Sequence, residues 1–289
     1  MSELPATAAA PAAAPLLDPE EIARRRRARF EAWARWALPA LVMILTLGGW
    51  QLLVWARDIP PYILPGPIKV AEQMITDWSL LWDASLITMT TMAAALAAAV
   101  TLGVGIAVLF TQSRVAELCF FPYAVIMQVT PIIAVAPLII IYVDHQFLSM
   151  LICAWIVAFF PILSNTTLGL NSVDHNLRDL FTIYGATRWQ RLIHLQLPAA
   201  LPYFLGGLRI AGGLSLIGAV VAEYAMGTGG RGAGLAFTIL EASYRLVIPR
   251  MFAALVLIAV VGVAIFALTS LISHLSLRKW HESAVKREV

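Results

Sequence analysis

Six stretches of the chain are apolar on every side and at least 20 residues long: about 37–56, 85–111, 119–143, 149–169, 203–225 and 250–273. At a rise of about 1.5 Å per residue, each reaches across a hydrocarbon core of about 30 Å. The longest polar interruption, residues 174–202, lies between the fourth and fifth runs, and there the pattern changes. Leu177, Leu180, Phe181 and Tyr184 recur at helical spacing, and Trp189, Leu192 and Ile193 repeat the pattern after Gly185. This predicts two short amphipathic helices with a break at Gly185, where a missing Cβ permits positive φ. A stripe of this kind between spans has to be covered by something other than lipid.

The ends of the chain read differently. Residues 1–17 are Ala/Pro-rich and read as a disordered tail. Asp18-Pro19-Glu20-Glu21 has the form of a helix start, with Asp as N-cap and Pro at the first helical position. The helix expected over 18–36 interleaves six arginines with Ile22, Phe30, Trp33 and Trp36, which suits a membrane surface. The run that follows is too long for a cleaved signal and reads as an uncleaved anchor. A membrane-spanning domain is expected over 37–275 and a tail over 276–289. The segment between the first two spans, with its Pro60-Pro61 and Pro65-Gly66-Pro67, predicts a turn and a surface helix.

Within the spans, the polar and proline positions stand out. Pro131 and Pro137 each remove a backbone donor from the third run, just after Gln128 and Thr130. Asn165 sits in a polar cluster, Ser164 to Thr167, in the fourth. The fifth carries Gly206, Gly207, Gly212, Gly213 and Gly218, which allow close helix approach, and also Arg209 and Glu223. At 100° per residue those two charges fall near one helix face. Intramembrane charge favours a cavity or a partner, so Gln128, Thr130, Pro131, Pro137, Asn165, Arg209 and Glu223 are candidates for a translocation path. The bland reading of each is an interhelical contact, and for Glu223 a structural pairing near the outer end, with Arg231 or a second protomer.

Composition agrees with a membrane chain: 60% of residues are apolar and 13% charged, against about 25% charged in soluble domains. Fourteen of the 20 lysines and arginines fall on one side if the N-terminus is inside, and four on the other. The positive-inside rule then puts both termini and residues 174–202 in the cytoplasm. The arginine run before a span accounts for the basic charge without nucleic acid. Cys119 and Cys153 lie in apolar runs, and the five histidines are scattered, so no disulfide framework, metal site or cofactor is expected. Gly227 to Gly234 lacks the Lys-Ser/Thr ending of a phosphate loop and reads as an outer turn.

The 174–202 segment resembles the signature loop of ABC-importer permease subunits. Asp179-Leu180-Phe181 stands where that family has Glu-Ala-Ala, Gly185 is its glycine, Leu195 replaces its Ile, and Leu197-Pro198 match its Leu-Pro. QVTPIIAVAPLII and PYFLGGLRIAGGLSLIGAVVAEYAMGTGGRGAGL look like the nitrate/sulfonate/taurine (bicarbonate) branch, while IYVDHQ stands where relatives show Trp-Phe-Gly.

The resemblance, covering roughly residues 60–275, implies an all-α polytopic protein of about six spans in a bacterial inner membrane. It implies a homodimer, docked by ABC ATPase subunits on coupling helices and by a periplasmic substrate-binding protein outside. The coupling residues carried over are Asp179, Leu180, Phe181, Tyr184, Gly185, Arg188, Leu195, Leu197 and Pro198. No catalysis is expected of this chain, since ATP hydrolysis would sit on the separate subunit. The solute implied is nitrate-, sulfonate- or taurine-like. The alternative is a pyrimidine-type vitamin precursor or riboflavin, and a secondary transporter or channel is a more remote reading.

Overall fold

The computed structural model describes residues 19–227 and 232–278. The expected N-terminal tail, the Asp18 cap, Arg231 and the residues from Lys279 onward lie outside them. The chain divides into two compact units, residues 1–58 and 59–289. In the first, α1 (Pro19–Ala56) is one helix of 38 residues with Pro39 inside it. The basic stretch and the first apolar run are thus continuous, with no break near residue 36. Leu41, Met43, Ile44 and Leu45 of α1 are exposed, as on a helix made to face lipid.

In the second unit, α2 (Pro67–Thr76) is the expected surface helix, opened by Gly66 and Pro67. It leads through Asp77 into α3 (Trp78–Gln112), which starts a full two turns before the predicted second span. The core is α3 with α6 (Gln146–Asn171) and α9 (Leu197–Met226), closed by α11 (Ile248–Leu277). Small residues make the seams: Ala99, Ala158 and Ala211 are fully buried around Ile162. At Gly218 a Cβ would stand 2.6 Å from the Ala154 Cα, and at Gly207 2.7 Å from the Pro161 carbonyl. Those two glycines let α9 lie against α6 backbone to backbone. Gly206 and Gly213 face open space, so only part of the glycine-rich run serves the approach.

The predicted third span, 119–143, is not one helix. α4 (Arg114–Val129) and α5 (Ile132–Tyr142) meet at 103°. Thr130 and Pro131 are both extended, with ψ of 122° and 111°. Proline disfavours the helical region for the residue before it, which puts the break at Thr130. The Thr130 hydroxyl donates to the Ile126 carbonyl at 2.7 Å, alongside the Thr130 amide at 3.1 Å, so both of its donors close the last turn of α4.

The pair still progresses from one end of the bundle to the other. Phe121 of α4 packs against Phe110, near the end of α3, and Phe160 of α6, with ring centroids 6.4 and 6.3 Å apart. Ala136 of α5 packs with Met150 and Cys153, nearer the start of α6, and with Ala222 of α9. Along α6 the contacts thus move by ten residues, about 15 Å. A re-entrant hairpin would return to its starting end, so α4 and α5 form one broken crossing.

The sequence reading missed a short helix, α10 (Leu235–Tyr244), between α9 and α11. It packs on α11, α9 and α3. The Asp77 carboxylate joins two helix ends of this assembly. It accepts from Arg250 Nε at 2.5 Å and Gln73 Nε2 at 2.6 Å, tying α2 to the start of α11. The Arg250 guanidinium beside it holds the Asp77 carboxyl below the usual carboxylate range.

Candidate functional site: the segment between α6 and α9

Every turn of residues 174–202 has a local cause. The Asp174 carboxylate accepts from the Asn176 amide at 2.7 Å and opens α7 (His175–Ile183). α7 ends at Gly185, φ +68°. The Gly185 amide donates to the Thr182 carbonyl at 3.0 Å and the Ala186 amide to that of Phe181 at 2.9 Å. Those paired bonds are the Schellman termination, which requires the left-handed residue glycine supplies. Thr187 then starts α8 (Arg188–Arg191) with a reciprocal capping box. Its hydroxyl accepts from the Gln190 amide at 3.2 Å, and the Gln190 side chain accepts from the Thr187 amide at 2.8 Å. The Thr-x-x-Gln spacing that signals this box stands in the sequence and went unused in its reading.

The second expected helix is not separate. From Arg188 the chain runs through a π-helical turn, Leu192–Gln196, into α9 without interruption. A proline cannot donate to a carbonyl in the preceding turn and crowds it. The wider π turn, in which the Leu197 amide bonds Leu192, lies immediately before Pro198 and loosens that crowding. The fifth crossing is therefore a helix of 39 residues that begins at Arg188.

The segment is anchored at its base and bare along its arm. Leu192 and Ala200 are 2% exposed and pack in one cluster with Phe110, Leu163 and Leu170. By contrast α7 has no buried residue. Leu177, Leu180, Ile183, Tyr184 and Trp189 are all exposed, Ile183 and Tyr184 at 81% and 82%. Phe181 is half-buried, as are Leu195 and Pro198, while Asp179, Arg188 and Leu197 are exposed. On the face turned toward the span ends, a cavity of about 340 Å³ is lined by Arg178, Arg188 and Arg191 with Thr111, Gln112 and Asn171. Arg188 and Arg191 are read from the sequence as polar contacts at the rim of the docking stripe, whereas Arg178 is not singled out. Nothing in the apolar periodicity marks the face they share.

The candidate path residues have separate surroundings. Gln128, Pro131 and Pro137 are exposed on the broken crossing, and Thr130 is half-buried. Asn165 donates back to the Pro161 carbonyl at 2.8 Å. Arg209 is exposed and stands 5.9 Å from the Phe266 ring centroid. Glu223 is 2% exposed, and its carboxylate accepts from the Ala236 amide at 3.0 Å. The Leu235 amide next to it donates to the Thr88 hydroxyl at 3.0 Å. Glu223 thus caps α10 from α9, and a Cβ at Gly234 would run into that carboxyl. The same-face alignment of Arg209 and Glu223 along α9 does not make them partners.

Comparison with known proteins bears on the whole bundle. Residues 99–281 match the family model described as "Binding-protein-dependent transport system inner membrane component". The chain is 32% identical to the riboflavin transport system permease protein of Chloroflexus aurantiacus, over 88% of this chain and 93% of that one. It is 31% identical to the formylaminopyrimidine transport permease protein of Halalkalibacterium halodurans, over 79% and 90%. With an aliphatic sulfonates transport permease protein of Bacillus subtilis the identity is 27%, over 85% and 87%. The fold is shared with a chain of a solved amino acid ABC transporter, at a TM-score of 0.57 and 20% identity, over 70% of this chain and 96% of that one. The helical bundle, its glycine-broken loop and these matches place the chain in the family of binding-protein-dependent transport system inner membrane components: it is a multi-pass permease subunit of an ABC importer, in a family that works with separate ATPase and substrate-binding partners and is not itself an enzyme.

Proposed function

We propose that residues 174–202 are the coupling element of this permease. α7 and α8 dock on an ATPase subunit, and the rigid path from Arg188 into α9 carries the motion to the bundle. The exposed stripe of Leu180, Ile183, Tyr184 and Trp189 carries this reading. A large apolar side chain contributes about 1.5–3 kcal/mol when buried. Such side chains stay exposed on an arm outside the spans only where a partner covers them. With α4 and α5 as one crossing, the chain has six crossings, and the arginine bias puts this segment and both termini in the cytoplasm of a bacterial inner membrane. The chain acts as a homodimer, its exposed bundle faces meeting a second copy and lipid, with Gln128, Thr130, Pro131, Pro137, Asn165 and Arg209 at or near the path.

The solute this reading favours is a nitrogen-heterocyclic vitamin or its precursor. The relatives named for such solutes are the more similar ones. A cavity of about 740 Å³ between α3 and α10 is lined by Asp83 and by Glu241, which pairs with Arg245 at 2.8 Å, and by no cationic side chain, which suits a neutral solute better than an anion. The second reading, a sulfonate- or nitrate-like anion, draws on Arg209, an exposed cation well inside a crossing.

Substituting Ile183→Asp and Tyr184→Ala tests the docking. The ATPase subunit is expected to stop co-purifying, while the permease keeps its helix content and its own assembly. Coupled uptake at the normal rate in that variant would overturn the assignment. Uptake competition between a pyrimidine or flavin solute and an alkyl sulfonate then separates the two solute classes.

A further inference from the structure

We propose that the cavity beneath the coupling arm is a binding site for a phosphate-class oxyanion. It gathers three guanidinium groups, from Arg178 on α7 and Arg188 and Arg191 on α8, around about 340 Å³. No carboxylate lines it. Among the described residues none of the three arginines forms an ion pair, and Arg191 Nε is shielded from solvent with no hydrogen-bond partner. A shielded donor without an acceptor is destabilising, and three like charges around one cavity repel. Both defects are removed by one ligand, a tetrahedral anion with several acceptor oxygens, which matches the guanidinium fork. The side chains of Gln112 and Asn171 add neutral donors from the ends of α3 and α6. The Thr111 hydroxyl donates to the Ala107 carbonyl at 3.0 Å, so it adds an acceptor only.

The position gives the ligand a consequence. Arg178 precedes Gly185, and Arg188 and Arg191 follow it. An anion held by all three ties the two arms of the glycine break together and fixes their angle. The cavity faces the span ends, whereas Ile183, Tyr184 and Trp189 project from the arm into solvent. The site shares α7, α8 and Arg188 with the proposed coupling element but uses none of the exposed apolar side chains assigned to the ATPase contact, so it stands if that docking fails. The phosphate group comes from one of two sources, the headgroup of an anionic phospholipid or a free phosphate or phosphomonoester.

The test uses the full-length permease with its ATPase and binding-protein partners in nanodiscs of phosphatidylcholine, without nucleotide. Inorganic phosphate is titrated against chloride at matched ionic strength, and unfolding is followed by tryptophan fluorescence. A saturable rise in Tm is expected. Its midpoint should move about tenfold or more to higher phosphate in an Arg178→Gln, Arg191→Gln double variant. In nanodiscs containing phosphatidylglycerol, a lipid source shows as anionic lipid retained in native mass spectra of the wild type and lost in the double variant, with phosphate then without effect. If the double variant fails to fold, Arg178→Gln alone and Arg191→Lys are compared at the same cavity. No effect of either probe, or equal effects on wild type and folded variants, overturns the proposal. So does loss of the ATPase subunit from the variants when neither probe binds the wild type, since the arginines would then serve an acidic side chain of that partner.

Discussion

Gly185 is where a change of one residue should alter transport without altering packing. Its φ is +68°, and a Cβ built there meets nothing within 4 Å. Any penalty for a larger residue is thus conformational. For an L-residue the left-handed region costs about 1–2 kcal/mol. Losing the glycine also removes about 0.8–1 kcal/mol of its resistance to helix, so α7 is biased to run straight on. For Gly185→Ala the sum is about 2–3 kcal/mol, set against only two local bonds, from Gly185 to Thr182 and from Ala186 to Phe181. Gly185→Asn should be milder, because Asn tolerates this region, and the β-branched Gly185→Val more severe. The assay is ATP hydrolysed per solute imported in proteoliposomes holding the ATPase and binding protein. Coupling should fall in the order Gly, Asn, Ala, Val while helix content stays constant. A valine variant that couples like wild type would refute the reasoning. The same termination occurs after α10 with the opposite residue: Leu246 has φ +57°, its amide bonds Ser243 at 3.3 Å, and the Val247 amide bonds Ala242 at 2.9 Å. Leu246 is 68% exposed, so Leu246→Gly relieves strain at little loss of packing. After subtracting the glycine's own entropy cost it should stabilise by about 0.5–1 kcal/mol. A lower Tm for this variant would count against the same argument.

Glu223→Ala removes the acceptor that caps α10 and should lower stability by about 0.5–2 kcal/mol, whereas Glu223→Gln keeps a carbonyl for the Ala236 amide and should assemble normally. Thermal unfolding of the two variants side by side checks this, and equal loss in both would mean that the charge, not the cap, matters. Asp77→Asn breaks the tie between α2 and α11 and should lower Tm at neutral pH. Because the folded carboxyl titrates below its ordinary value of 3.8, the stability it adds is fully present above that value and is lost as pH falls through the depressed one. The gap in Tm between wild type and Asp77→Asn should therefore close only in that acid range, and a gap that closes near neutrality would point to another group.

What the sequence shows of this fold divides along a physical line. A property carried by the repeat of neighbouring residues is legible. The six apolar runs, the amphipathic stripe of 174–184 and the break at Gly185 are all of that kind, since each depends on residues within about two turns. What was missed depends on distant partners or on how a local defect is resolved. Pro131 announced a missing donor, but nothing in its neighbours announces a 103° bend. That bend is held by Phe121 against Phe110 and Phe160 on one side and Ala136 against Met150 and Ala222 on the other. Pro198 read only as the proline of the Leu-Pro match, inside a loop expected to run to 202 before the fifth span. The π turn before it keeps the helix whole, so the arm that meets the proposed partner and the helix that crosses the membrane are one rod from Arg188 to Met226. α10 is ten residues long and marginal as an isolated helix. Its cap comes from Glu223, and Thr88, 147 residues away, accepts from its first amide. The arginine cavity belongs with these: the sequence offers Arg188 for coupling, but only the turn at Gly185 folds Arg178, Arg188 and Arg191 onto one space beside the ends of α3 and α6. The glycine that was legible as a break is thus also what assembles the charge cluster that was not.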